Sequence, residues 1–248
     1  MMKKQMIMMT LTALLASCNA SEGESSEKET TETTEKKEVN ALPTLTPEEQ
    51  AAGFKLLFNG KNTEGWHVFH KDSVTGWEIA DGILSTKGGN GDLVSNDEYE
   101  SFELVFDWKL PKAGNSGVMY MMQDLPNMEE TWHTGVEYQL IDAKNWPDTL
   151  HESQKPAAAY DLYDPLSAPA KDAGEWNTGK IISNKGHIEH YLNGVKTADY
   201  VWNSDDFKKR VAKSKFKDKP FAKKLKGHIV LQDHGQAVAF RNVKIKPM

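Results

Sequence analysis

Short runs of alternating apolar and polar residues, each stopped by Gly, Asn, Asp or Pro, recur from Phe54 to Ile245. Punctuation this frequent favours an antiparallel sandwich or barrel over an α/β fold. The runs predict strands at Phe54–Phe58, Trp77–Ala80, Ile83–Thr86, Phe102–Leu110, Ser116–Met122, Val136–Ile141, Gly179–Ser183, His187–Leu192, His228–Gln232 and Ala237–Ile245. Asp81-Gly82 and Asn193-Gly194 sit between runs as tight-hairpin signals. One segment departs from the pattern: Ser204 precedes a short helical spacing through Val211, with Phe207 and Val211 on one face. The lysine-dense stretch behind it reads first as a solvated helix and loop, second as part of a binding surface. The stretch Lys144 to Glu175, with Pro147, Pro156, Pro165, Pro169 and Gly174, reads as a long loop of the kind that walls binding sites.

The N-terminus has a different character. Residues 1–18 carry Lys3 and Lys4, an apolar run through Leu15 and small residues before Cys18, the layout of a secretory signal peptide. The run is shorter than the roughly 20 apolar residues that span a bilayer. Leu15-Ala16-Ser17-Cys18 resembles a bacterial lipobox, which predicts lipidation at Cys18 and a lipid-anchored envelope protein at the periplasmic face or the cell surface. Cys18 is the single cysteine, so the mature fold has no disulfide. Residues 19–50, rich in Glu, Ser and Thr, predict a disordered acidic tether, and residues 51–248 form one domain with a sizeable core. The net charge of −6 gives no basic excess to suggest nucleic acid.

Within the domain the strand period sorts residues by face. In GVEYQLID, Glu137, Gln139 and Ile141 share one side, and Val136, Tyr138, Leu140 and Asp142 the other. A strand gains nothing by displaying a carboxylate beside a carboxamide unless something binds there. In GHIVLQDHG, Gln232 and His234 share a face, so Glu137, Gln139, Gln232 and His234 converge if the strands align. A His and a carboxylate in one cleft suit general acid–base work. Glu137, Asp142, His190 and His234 also offer metal-ligating atoms, though with no tight spacing. The chain has seven Trp. Trp66, Trp132, Trp146, Trp176 and Trp202 fall in or beside predicted loops, where a flat face suits sugar rings; Trp77 and Trp108, inside strand patterns, read as core.

The order of motifs resembles one family. LLFNGKNTEGW, WEIADGIL, NSGVMY, GVEYQLID, AAYDLYDP, GEWN, HIEHYLNG, SKF and GHIVLQDHG followed by FRNVKIK are similar, in sequence and order, to the 3-keto-disaccharide hydrolases, over nearly all of Gly53 to Met248. The resemblance implies an all-β, concanavalin A-like jelly roll of two curved antiparallel sheets. It implies action on glycosides already oxidised at carbon 3. Matching motif positions are Glu137, Gln139, Asp142, His190, Gln232, Asp233, His234 and Arg241; Tyr191 and the AAAY segment depart from the family's usual Trp and Gly.

The implied route is proton abstraction at carbon 2, β-elimination and hydration. It assigns His234 as base, Glu137 or a metal held by it at the enolate oxygen, and His190 or Asp142 as acid or ligand. Gln139, Gln232, Trp132, Trp176, Lys215 and Arg241 are the expected sugar contacts, and one divalent cation on Glu137, Asp142 and His234 is the expected cofactor. Two rivals stand beside this route. A conventional glycosidase needs two carboxylates about 5 to 9.5 Å apart. A non-catalytic carbohydrate-binding lipoprotein would not need Glu137, His190 and His234 to meet.

Overall fold

The computed structural model describes residues 42–71 and 73–248. The signal peptide, Cys18 and most of the acidic tether lie outside them. Among the described residues the strands are β1 (Lys55–Leu56), β2 (Trp66–Val68), β3 (Trp77–Ala80), β4 (Ile83–Thr86), β5 (Leu93–Tyr99), β6 (Phe102–Lys109), β7 (Asn115–Met122), β8 (Val136–Ile141), β9 (Asn177–Asn184), β10 (His187–Leu192), β11 (Val195–Val201), β12 (Gly227–Leu231) and β13 (Val238–Pro247). All pair antiparallel. One sheet runs β11-β10-β9-β6-β13-β4-β3, with β1 beside β13; the other runs β2-β5-β12-β7-β8. The chain crosses repeatedly between them, which gives the expected jelly-roll sandwich.

Alternation in sequence makes the core. Phe102, Leu104, Phe106 and Trp108 of β6 point inward, while Glu103 and Asp107 between them reach Lys180, Lys246 and Arg241 outside. Val118, Tyr120, Val136, Tyr138 and Leu140 meet them from the second sheet. Strands β7 and β8 are buried on both faces, because loops cover the side turned away from the core. A smaller cluster of Val94, Met119, Met122, Met128 and Val230 lies there. Beside it stand Glu137 and Gln139.

Two α-helices are described. Asp205–Val211 (the second in chain order) matches the sequence reading: the Ser204 hydroxyl accepts from the Phe207 amide, and Phe207 is buried. Pro47–Ala51 was not foreseen. It closes with a Thr46–Glu49 capping box, and Lys244 of β13 pairs with Glu49. The expected tether is therefore ordered at its C-terminal end, from residue 42 to residue 50, because Pro43 is buried and Glu49 has a partner on the sheet. Strands β2, β5 and β11 were likewise absent from the sequence reading. No helix among the described residues is long and apolar enough to cross a membrane.

Candidate active site

Glu137 of β8 stands opposite Met119 and diagonal to Gly117 of β7. A Cβ at position 117 would lie 2.7 Å from Glu137 Oε1. Gly117 is thus the cradle that lets the carboxyl lie flat on the strand. Only 5% of Glu137 is exposed, and no described residue hydrogen-bonds its carboxyl oxygens. Burial pushes the carboxyl up to about 7, partly offset by the positive charge of Lys215 and reinforced by Asp92.

A cleft of about 320 Å³ opens over this carboxyl, walled by Asn115 and Gln139 from the sheet, Gln232 and His234 beyond β12, and Asp92, Trp132, Tyr160 and Lys215 from loops. The loops are tied down locally. Segment 157–160 pairs along the free edge of β8: Ala157 N–H donates to Gln139 O, Gln139 N–H to Ala158 O and Tyr160 N–H to Glu137 O. This places Tyr160 on the wall and protects the edge strand. The Lys215 backbone amide donates to Asp161 at 2.8 Å. Lys215 is exposed as a residue, and its ammonium lies 4.3 Å from the Tyr160 ring centre and 4.6 Å from that of Trp132. Desolvation of that end lowers the Lys215 pKa, against the pull of Glu137 and Asp161.

Three amide oxygens lack partners. Asn115 Oδ1, Gln139 Oε1 and Gln232 Oε1 are buried and accept no hydrogen bond. An unpaired buried acceptor costs about 1–3 kcal/mol, so this floor is built to receive donors. His234 is exposed at the rim. Its Nδ1 lies 3.1 Å from Gln236 Oε1 and its Nε2 3.4 Å from Asn115 Nδ2. The tautomer satisfying both donates from Nδ1 and accepts at Nε2 from the Asn115 amide, a long contact that a substrate proton entering the cleft would replace. Asp92 accepts from the Thr131 hydroxyl at 2.5 Å and from the Asp233 backbone amide at 2.8 Å, and burial raises its carboxyl to about 6.

The profile of the 3-keto-alpha-glucoside-1,2-lyase-like domain matches residues 53–246. The chain belongs to this family. A curated 3-keto-disaccharide hydrolase from Bacteroides thetaiotaomicron is 32% identical over 228 residues, 79% of each chain. Two solved Parabacteroides distasonis proteins, both named as glycosyl hydrolases, share the fold. The first is 37% identical with a TM-score of 0.80, covering 83% of this chain and 99% of its own. The second is 31% identical with a TM-score of 0.63, covering 79% and 99%.

In this lyase-like domain the anticipated site residues divide into two groups. Glu137, Gln139, Gln232, His234, Trp132 and Lys215 meet in the cleft. The other four do not. His190 is fully buried between the sheets, where its Nδ1 donates to Ala157 O at 3.1 Å and its Nε2 accepts from Tyr120 Oη at 2.7 Å. Desolvation lowers it to about 4, so it stays neutral. Asp142 Oδ2 accepts from Ala113 N and Asn145 Nδ2 and pins a turn instead. Trp176 and Arg241 stack on each other at 4.2 Å, with Arg241 also on Asp107, on the outer face of the larger sheet.

The expected cation set of Glu137, Asp142 and His234 is accordingly not assembled. Among the described residues the one metal-like grouping of His and carboxylates is His187, Glu189 and Asp199, and the Lys196 ammonium already bonds both carboxylates there. Of the loop tryptophans, Trp66 belongs to the core rather than to a sugar site, its indole N–H donating to Leu57 O. Asp92, Asn115 and Tyr160 were missed as site residues. Asn115 sits inside a quoted family motif, but Asp92 precedes a strand the periodicity did not reveal.

Proposed function

We propose that this chain is an enzyme that cleaves 3-keto-glycosides, 3-keto-disaccharides foremost, by elimination across carbons 1 and 2 followed by hydration. The carrying observation is a buried carboxyl whose proton is lost only near neutrality, set beside a floor of unpartnered amide oxygens in a cleft that His234 also lines. The family match and the name of the Bacteroides relative support the same reading.

The ketone at carbon 3 acidifies the carbon 2 hydrogen. His234 Nε2 takes that proton, and the C2–H electrons move to form the enolate. Protonated Glu137 donates to the enolate oxygen, an electrostatic role that a desolvated site strengthens. The enolate then expels the aglycone from carbon 1, and its oxygen receives a proton from the Lys215 ammonium, whose lowered pKa makes it the better acid. Water adds across the new double bond, with hydroxide at carbon 1 and a proton at carbon 2. The free oxygens of Asn115, Gln139 and Gln232 accept from sugar hydroxyls, and the Trp132 face covers the ring. With Glu137 they are also suitable donors for a hard divalent cation, which would supply Lewis acidity when bound.

The experiment is turnover of 3-keto-trehalose and plain trehalose in deuterium oxide, with and without chelator. Release of 3-keto-glucose carrying deuterium at carbon 2, from the keto sugar only, is the expected result. Cleavage of plain trehalose, or product without deuterium, would show instead a direct hydrolysis by a carboxylate pair, for which Asp92 and Glu137 line the same cleft. Loss of turnover with chelator would assign the amide oxygens to a cation. The lipobox motif supports a second, independent proposal, that Cys18 carries the lipid anchor holding this carbohydrate-active domain at the envelope. Radiolabelled palmitate incorporated into the wild type and equally into Cys18→Ser would refute it.

A further inference from the structure

The cleft does not end at His234. A second lobe of about 360 Å³ shares Asn115, Gln139, Tyr160 and His234 with the first. Its remaining wall comes from Ile141 and the loop that follows, chiefly Trp146, Asp148, His151 and Gln154. The two lobes differ in chemistry. The first holds Glu137, Lys215 and Asp92, whereas the second holds an indole beside one carboxylate, two imidazoles and uncharged hydrogen-bonding groups, with no Lys or Arg in its wall. Each lobe has the volume of a small-ligand pocket.

Resting on the reading above, we propose that the second lobe is the subsite for the leaving group, and that it takes a second, uncharged pyranose ring stacked on Trp146. The scissile oxygen then lies at the shared wall, beside His234. Three observations favour a sugar over other aglycones. Trp146 is half-buried and has no ring or hydrogen-bond partner among the described residues, so one face is free for a ligand. Asp148, Thr149 and His151 line the same wall and offer hydrogen-bonding groups that sugar hydroxyls would use and a flat aromatic aglycone would not. Asp148 and the absence of a cation disfavour a phosphorylated or uronic ring. The wall is also pre-set: Gln154 accepts from the His151 amide at 3.0 Å and donates to the Tyr160 hydroxyl at 3.1 Å.

The test compares a one-ring and a two-ring substrate, methyl 3-keto-glucoside and 3-keto-trehalose, on the wild type, Trp146→Ala and His151→Ala. Trp146→Ala is expected to lower kcat/KM for the two-ring substrate by about three- to tenfold, the scale of a lost aromatic stacking contact. Turnover of the one-ring substrate should stay within about twofold, which also shows the variant is folded. His151→Ala should act in the same direction with a smaller loss. Equal losses on both substrates, or none on either, would overturn the subsite. If the wild type turns over neither keto sugar, the reaction falls but the subsite is still read by calorimetry with plain trehalose. There, weaker binding by Trp146→Ala supports it and unchanged binding refutes it.

Discussion

Glu137 keeps its proton up to about pH 7 because the strand that carries it is buried on both faces and offers its carboxyl no donor. Between the ordinary carboxylate range and about 7, the folded protein keeps a proton that the unfolded chain has released. Folding stability therefore falls as pH rises through that window, and the full penalty, on the order of 3 kcal/mol, is present above it. Glu137→Gln removes this titration. Its thermal midpoint should exceed that of the wild type at pH 8, and the gap should close by pH 5, while turnover is lost; a gap independent of pH would mean that the carboxyl ionises normally. Gly117 gives a second handle on the same group. Because the atoms nearest a Cβ there are Oε1, Cγ and Cδ of Glu137 and not backbone, Gly117→Ala should displace that side chain and leave the sheet intact. Activity should drop at least tenfold, with the unfolding midpoint nearly unchanged, and a collapse of stability would show that the backbone had moved instead. Glu137 was visible as an odd carboxylate in a strand, but not its contact with Gly117, which depends on register.

Strands with plain alternation were legible from sequence, and those without it were not. β6, β8 and β10 alternate or run apolar and were found nearly to the residue; β5, LVSNDEY, turns polar midway and is exposed there, and β2 is three residues long. His190 shows the limit of face arithmetic on β10. The period of two sets it apart from His187 and Glu189, and its face points into the sandwich, where Tyr200 Oη, Tyr120 Oη, His190 and Ala157 O form one hydrogen-bonded line across the two sheets. Nδ1 must donate to the carbonyl, so Nε2 accepts from Tyr120, and Tyr120 in turn accepts from Tyr200. His190→Phe should cost about 1–3 kcal/mol, measured as a lower denaturant midpoint, without changing kcat by more than a few-fold. The cost should shrink toward pH 4.5, since only the wild type loses stability as the unfolded chain binds a proton at His190 and the folded one, held at about 4, does not. A large loss of kcat with native stability would restore His190 to the catalytic groups.

Residues lining the cleft lie as far apart in the chain as Asp92 and His234, so the site exists only when β5, β12, β7 and β8 are paired. Asp233 is the side chain that joins the two sheets at this end. Its carboxylate accepts from Thr86 Oγ1 of the larger sheet at 3.2 Å, from the Gly89 and Asn90 amides of the next loop, and from Gly235 N–H. Its own amide donates to Asp92. The approach is close: a Cβ on Gly88 would lie 2.4 Å from Gly235 O, and Gly88 has φ of +101°. The motif QDH marked this position in the sequence, but nothing in its spacing separates a carboxylate that touches sugar from one that clamps a glycine loop. Geometry separates them, because an acceptor already bonded to four donors has little capacity left for a substrate. Asp233→Ala leaves those donors unpaired, which predicts about 2–4 kcal/mol lost in stability and faster amide exchange confined to residues 87–92 and 232–236. Its effect on turnover should appear mainly in KM, through Asp92 and His234 losing their fixed positions, and rescue by Asp233→Asn should be partial, since an amide keeps one acceptor oxygen. Native exchange rates with lost kcat would place Asp233 among the groups that touch substrate.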